Sequence, residues 1–343
     1  MPDPVALLRG ALEIYSPSGR EEEIGRYLCE QMRAFGLRAE LDGAGNAVGA
    51  RGSGPRQIVM LGHMDTVPGF IPVLEEEGRL YGRGAVDAKA ALATFIAATS
   101  RLPERADTTY LIVCAVEEEC PTSRGARYAL DRYRPSCAII GEPSGAGSIT
   151  LGYKGRLALG YRVEQPCVHS AVDMGRAAER AVDFWLAVKE MTAEYAAPSR
   201  FERLDAALMS FQTGGDGLTE HAALEISLRL PPGFEVARLR KRLEALHPDA
   251  SLEVRESLPA FKAEKNTPLV RAFLQAIRSR GLRPTFKVKT GTADMNLLGP
   301  AWGCPIVAYG PGDSSLDHTP HEHLDLAEYQ LAIDILADVL SRL

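Results

Sequence analysis

Cysteine is scarce: six residues in 343, at positions 29, 114, 120, 137, 167 and 304, with no Cys-x-x-Cys pair. That usage supplies neither a disulfide framework nor a thiolate zinc site, and it fits reduced thiols in a cytoplasmic protein. Long apolar runs are missing too. The longest, Leu111 to Val116, falls far below the ~18 residues of a membrane span. Met1-Pro-Asp-Pro lacks the basic-then-apolar order of a secretory leader. There is no excess of basic charge: Lys+Arg total 39 against 45 Asp+Glu, a formal charge of -6. Nucleic acid and membrane are therefore not expected partners. No G-x-G-x-x-G joins an early strand to a helix, and neither a Walker A lysine motif nor a G-x-S-x-G elbow occurs. Their absence removes a dinucleotide-dependent dehydrogenase, a P-loop enzyme and a serine hydrolase of the elbow type.

What is present describes a folded protein, 45% hydrophobic and 24% charged, long enough for about two domains at ~150 residues each. Ser18 with Glu21 predicts a capping box and a helix to about Phe35. Gln57–Leu61, Thr108–Val116 and Cys137–Ile140 predict buried strands, with helices over Lys89–Ser100 and Gly125–Tyr133 between them. That alternation predicts an α/β layer around a mostly parallel sheet. Beyond Gly152 the order changes: strand 156–164, helix 174–195, strands 207–213 and 222–230, helix 235–247, strand 251–256. This is the β-α-β-β-α-β order of a ferredoxin-like α+β unit. Beyond Pro259 the α/β pattern resumes, with a helix from Thr267, strands near 285–288 and 306–308, and a last helix from Asp325. The expected organisation is a catalytic domain of residues 1–151 and 258–343 interrupted by an inserted domain of residues 152–257.

Polar residues follow the predicted strands. Gln57–Leu61 runs into Gly62-His63-Met64-Asp65, which reads either as a carboxylate-oriented metal ligand or as a turn with a solvated His–Asp pair. Asp87, ahead of a helix, reads as a ligand or a cap. Glu117-Glu118-Glu119 directly follows a buried strand, where three carboxylates repel unless a cation sits among them. Glu142 also stands at a strand end, and Asp317-His318-Thr319-Pro320-His321-Glu322-His323 holds three of the seven histidines. Such ends converge in one crevice of an α/β sheet. Oxygen and imidazole donors without cysteine suit a pair of zinc, cobalt or manganese ions, whose +4 is balanced by four carboxylates.

Gly-His-x-Asp-Thr-Val-Pro, Gly-Arg-Gly-x-x-Asp-x-Lys, the Glu-Glu pair, Gly-Glu-Pro and the late His-x-x-x-Glu, in this order, resemble the M20 family of dinuclear metallo-aminoacylases and peptidases over nearly the whole chain. Ile71-Pro-Val, Leu80–Lys89, Lys289-Thr-Gly-Thr-Ala-Asp-Met-Asn and Tyr309-Gly-Pro-Gly-Asp-Ser are most similar to the members that free lysine or ornithine from an amino-group carrier protein. The resemblance implies two divalent ions, zinc or alternatively cobalt. It implies Asp87 as the shared ligand, His63 and Glu142 on one ion, Glu118 and His318 on the other, and Glu117 as general base. Asp65 would fix the tautomer of His63, and the Asp87–Ala88 peptide would be cis. Glu119 would be structural. The inserted domain would act as a lid and join a homodimer, placing His169 as an oxyanion donor in the partner's site, although Ala171-Val172-Asp173 departs from the usual tail after it. Arg229 would bind a substrate carboxylate. A carrier-borne substrate also implies a basic rim drawn from Lys154, Arg156, Lys262, Lys265, Lys287 and Lys289.

The implied reaction is hydrolysis of the amide between the carrier's terminal glutamate and the α-amine of lysine or ornithine. N-acetylornithine deacetylation, succinyl-diaminopimelate desuccinylation and peptidase activity are the alternatives. A binding module that had lost its chemistry would show damaged ligands, and none of these positions is damaged.

Overall fold

The computed structural model describes residues 2–167, 169 and 175–343. The chain separates into two compact units. One comprises Met1–Gly152, Lys262–Val288 and Ala293–Leu343, the other Tyr153–Phe261 and Lys289–Thr292.

The first unit is built on a sheet whose strands run in the order Arg38–Leu41, Ala47–Gly52, Thr108–Ala115, Arg56–His63, Cys137–Gly141, Ile306–Ala308 and Ser148–Tyr153. The four strands from Thr108–Ala115 to Ile306–Ala308 are parallel. Antiparallel partners flank them on both sides. Parallel strands are covered on both faces and so become continuous apolar runs: Ile58 to His63 and Tyr110 to Ala115 are buried without alternation. Helix Lys89–Ser100 packs on this sheet and on the C-terminal helix Leu326–Arg342. It is buried from Lys89 to Thr99, which explains its sequence: a helix enclosed all round needs small or apolar residues on every face. Five of its twelve residues are alanine, and they let neighbouring elements approach.

Register then builds the crevice. His63 lies opposite Ala115 on one side, and Gly62 lies opposite Gly141 on the other. The carboxyl ends of three strands are therefore level, and Glu117–Glu119 and Glu142 emerge beside His63. Gly62 and Gly141 permit this closeness. A Cβ on Gly62 would stand 3.1 Å from the Gly141 Cα, and one on Gly141 3.0 Å from a Phe95 ring carbon.

The second unit has a four-stranded antiparallel sheet in the order Asp205–Gly215, Thr219–Leu230, Gly155–Pro166, Ser251–Leu258. Helices Ala177–Ala193 and Val236–Leu246 complete the β-α-β-β-α-β succession. Phe184, Val188, Leu239 and Leu243 pack with Leu157, Tyr161, Ile226 and Leu228 in its core. The segment 170–174, including the expected start of the first helix, lies outside the described residues.

One expected element is shorter for a reason that bears on the site. The helix predicted from Ser18 begins at Glu22, with no side-chain cap at its start. Ser18 Oγ instead donates to Asp65 Oδ2 at 2.7 Å, and Glu21 Oε1 accepts from the N–H groups of Gly19 and Glu117. Both residues of the presumed capping box hold loops of the crevice.

Candidate active site

His63 ends its strand buried. Its Nδ1 lies 2.9 Å from the main-chain oxygen of Asp65, which accepts its proton, and 3.5 Å from Asp65 Oδ1. Asp65, expected to fix the tautomer of His63, thus meets it through both groups, and the carbonyl makes the shorter contact. The carboxylate is occupied by Ser18 and by the N–H groups of Glu118 and Glu119, each at 3.0 Å. Burial alone would raise the Asp65 pKa. The His63 partner and these donors prevail, and its pKa is lowered.

The free nitrogen of His63, Nε2, stands 3.1 Å from Asp87 Oδ1, and Asp87 Oδ2 stands 3.1 Å from His318 Nε2. Asp87 precedes a cis peptide bond to Ala88, the isomer that the resemblance implies. His318 Nε2 is also 2.9 Å from Glu119 Oε1. Donor atoms of His63, Asp87 and Glu142 lie within 4.8 Å of one another, as do those of Asp87, Glu119 and His318. Asp87 belongs to both of these groups, and a third joins His63, Glu118 and Glu119.

The run of three glutamates enters this geometry one residue out of the expected frame. Glu119, not Glu118, stands with Asp87 and His318. Glu117 does not face the histidines. Its carboxylate accepts from Thr122 Oγ1 at 2.6 Å and pairs with Arg124 Nε at 2.8 Å. The cause is the backbone. Glu117 has φ 59°, a left-handed conformation uncommon for residues other than glycine, so the strand direction is lost there. Asp65 then captures the next two N–H groups, and the side chains that follow, Glu118 and Glu119, belong to the crevice with His63. His318 likewise has φ 62°. Two residues in this strained region beside one cluster mark a site that the surrounding fold over-determines.

The electrostatics describe a site short of positive charge. Burial, with Glu142 and Asp294 adding to it, lifts the Glu118 carboxyl well above its ordinary range despite the nearby His63. Burial pushes Asp294 up to about 7, and its fully buried Oδ1 has no hydrogen-bond partner among the described residues. Burial would lower His63, but Asp65 and Asp87 outweigh it and hold its proton well above the usual imidazole range. Hydrogen bonds to Asp87 and Glu119 push His318 up to about 10. Oxygen and imidazole donors in three overlapping groups, without thiolate, suit divalent ions.

The remaining expected residues belong to other segments. His169 is exposed in the second unit. Arg229, also there, lies directly opposite Arg156 across two strands and donates weakly to Thr292 Oγ1 at 3.4 Å. His321 is exposed, and its carbonyl contacts His323 Nδ1 at 2.7 Å, while the His323 ring packs on Tyr81. Lys154 is not available for a basic rim. It is fully buried, donating to Asp205 and to the carbonyls of Arg200 and Arg203. Asp294 carries no signal in the sequence beyond its place in the Lys289–Asn296 stretch.

Residues 59–342 match the peptidase family M20/M25/M40. The chain belongs to that family. It is 48% identical, over 98% of its length and 96% of the relative's, to a protein of Deinococcus radiodurans named "[LysW]-lysine hydrolase". Among solved structures it is similar to an M20 family metallo-carboxypeptidase of Sulfolobus solfataricus, with a TM-score of 0.78 and 18% identity over 99% of each chain. It is also similar to a dinuclear metal-binding M20 peptidase of Bacillus subtilis, with a TM-score of 0.71 and 14% identity over 98% and 96% of the two chains.

Proposed function

We propose that this protein hydrolyses the amide bond between the terminal glutamate of a carrier protein and the α-amine of lysine, or of ornithine, and releases the free amino acid. The observation that carries the substrate is the near full-length identity to the Deinococcus protein named for LysW-bound lysine; LysW we take to be the amino-group carrier. The peptidase, deacetylase and desuccinylase alternatives have no comparable support.

In this reading His63, Asp87 and Glu142 hold one divalent ion and Asp87, Glu119 and His318 the other. When bound, the ions would polarise the amide carbonyl and acidify the attacking water. Glu118 is the general base. It is half-buried, groups with His63 and Glu119, and desolvation raises its pKa above the ordinary carboxylate range. A base of that kind accepts the proton of the attacking water and then delivers it to the departing amine. Asp65 keeps the whole group in place by holding the backbone of Glu118 and Glu119 and the orientation of His63. In this reading Glu117 is not the base, since its carboxylate accepts from Thr122 and pairs with Arg124.

The second unit supplies the lid. Arg229 has its pKa lowered by burial and by Arg156. Arg156 pairs with Glu256 at 3.3 Å, which offsets part of the repulsion between the two arginines, and a substrate carboxylate would give Arg229 a partner of its own. His169 donates to the oxyanion in the site of a second subunit. The homodimer forms along the edge strand Asp205–Gly215, which exposes Leu208, Met209 and Phe211. An unpaired apolar edge of that length otherwise invites aggregation. The ions are zinc or cobalt, and the six unpaired thiols fit the cytoplasm.

The test is a substrate panel on the metal-loaded enzyme. Carrier-linked lysine is expected to yield free lysine faster than N-acetylornithine or succinyl-diaminopimelate yields product. Rapid turnover of either small compound with none of the carrier conjugate would overturn the assignment.

A further inference from the structure

Glu322 is completely buried, and Arg83 nearly so. They lie 239 positions apart in sequence, yet Arg83 Nη1 donates to Glu322 Oε2 at 2.8 Å. The other carboxylate oxygen, Oε1, accepts two main-chain N–H groups: Val86 at 2.9 Å and Asp87 at 3.0 Å. Arg83 in turn donates through Nε to the carbonyl of Gly69 at 3.0 Å, in the segment that leaves His63 and Asp65. The Gly82 N–H donates to the Glu322 carbonyl at 3.3 Å. Glu322 stands four residues after His318, so one buried carboxylate ties together the chain segments that bear His63, Asp87 and His318.

We propose that Glu322, braced by Arg83, is the positioning residue for Asp87, and so sets the affinity of the site for both divalent ions. The proposal rests on the reading of Asp87 as the ligand shared by the two ions. A buried carboxyl acceptor on the Asp87 N–H fixes that residue's backbone where its two oxygens can face opposite ways, toward His63 and toward His318. A shared ligand displaced by a fraction of an ångström disturbs two coordination spheres at once. A residue that served a single ion would disturb only one.

Glu322→Gln tests this without emptying the space. Its amide oxygen can still accept from the two N–H groups, but its NH₂ then faces the Arg83 donor. Zinc binding is measured by chelator competition and by metal counting, beside thermal unfolding of the metal-free proteins. Glu322→Gln is expected to weaken both ions about 10- to 100-fold, the usual range for groups that orient ligands. Its metal-free form is expected to unfold cooperatively. Removing the conflicting donor in the double variant Arg83→Met/Glu322→Gln should restore part of the affinity, a coupling read by the double-mutant cycle. Two ions held at wild-type affinity in Glu322→Gln would overturn the proposal. So would weakening of one ion alone, or a double variant no better than Glu322→Gln. Glu322→Ala leaves Arg83 buried without its charge partner and can fail to fold, so the Gln and double variants carry the test. Asp87→Asn is run alongside: if it retains both ions tightly, the reading of Asp87 itself has failed, which is distinguishable from failure of Glu322.

Discussion

At the scale of single residues, three adjacent glutamates have three different tasks, and substitution separates them. Glu118→Gln is expected to keep two ions and lose about 10²–10⁴-fold or more in turnover, the usual contribution of acid–base help with some loss of water positioning added. Glu119→Gln should lose one ion, and Glu117→Gln should leave both ions and most activity intact. Metal counts and kcat on the three variants check this, and a Glu117→Gln enzyme that is inactive with both ions bound would reverse the assignment. The histidines give a pH expectation. In the metal-free fold His318 keeps its proton up to about pH 10, against about 6.5 for an ordinary imidazole. The folded state binds that proton more tightly than the unfolded state. Its stabilising effect is therefore complete below about pH 6.5 and is lost as pH rises through about 10. Ion binding at Nε2 must expel the proton, so zinc binding at pH 7–8 should release protons and tighten as pH rises. Calorimetry in buffers of different ionisation heat measures this, and binding with no proton release would contradict it.

At the scale of elements, the crevice exists because parallel strands end level with one another. That depends on the close pass of Gly62 and Gly141. Gly62→Ala puts a methyl 3.1 Å from both the Gly141 Cα and a Leu92 methyl carbon, so a loss of about 1–3 kcal/mol is expected from overpacking. Denaturant unfolding measures it, and a variant as stable as the parent would show that the strands have room to part. The same elements show what the sequence discloses. Helix Lys89–Ser100 and the strand–helix alternation are visible because burial imposes unbroken apolar runs. The second unit is visible because its half-exposed strands alternate. The start of the helix at Glu22 is not, because Ser18 and Glu21 satisfy loops 47 and 96 residues away rather than their own helix end. The frame of the glutamate run is also hidden. Three identical side chains carry no internal mark, and the turn that selects among them is a φ of 59° at Glu117, followed by two N–H groups held by Asp65 from the loop after His63. Lys154 looks like any surface lysine until the segment Arg200–Asp205 folds over it.

At the scale of the whole molecule, the role proposed for His169 requires a dimer. The exposed edge of Asp205–Gly215 is expected to be its seam, so Met209→Lys with Phe211→Glu should shift the protein toward monomer in sedimentation, with ions retained. Activity should fall with dimer content, as should that of His169→Ala within an intact dimer, because an oxyanion donor contributes about 2.7–4 kcal/mol to the barrier. A fully active monomer would remove both the seam and the role of His169.

The central claim is that two ions share Asp87 at the ends of the parallel strands. Anomalous scattering from crystals grown with zinc tests it most directly. The expected map has two peaks, one against His63 and Glu142, the other against Glu119 and His318, with an oxygen of Asp87 on each and Glu118 on neither. A single peak, or a peak ligated by Glu118 in place of Glu119, would contradict the account.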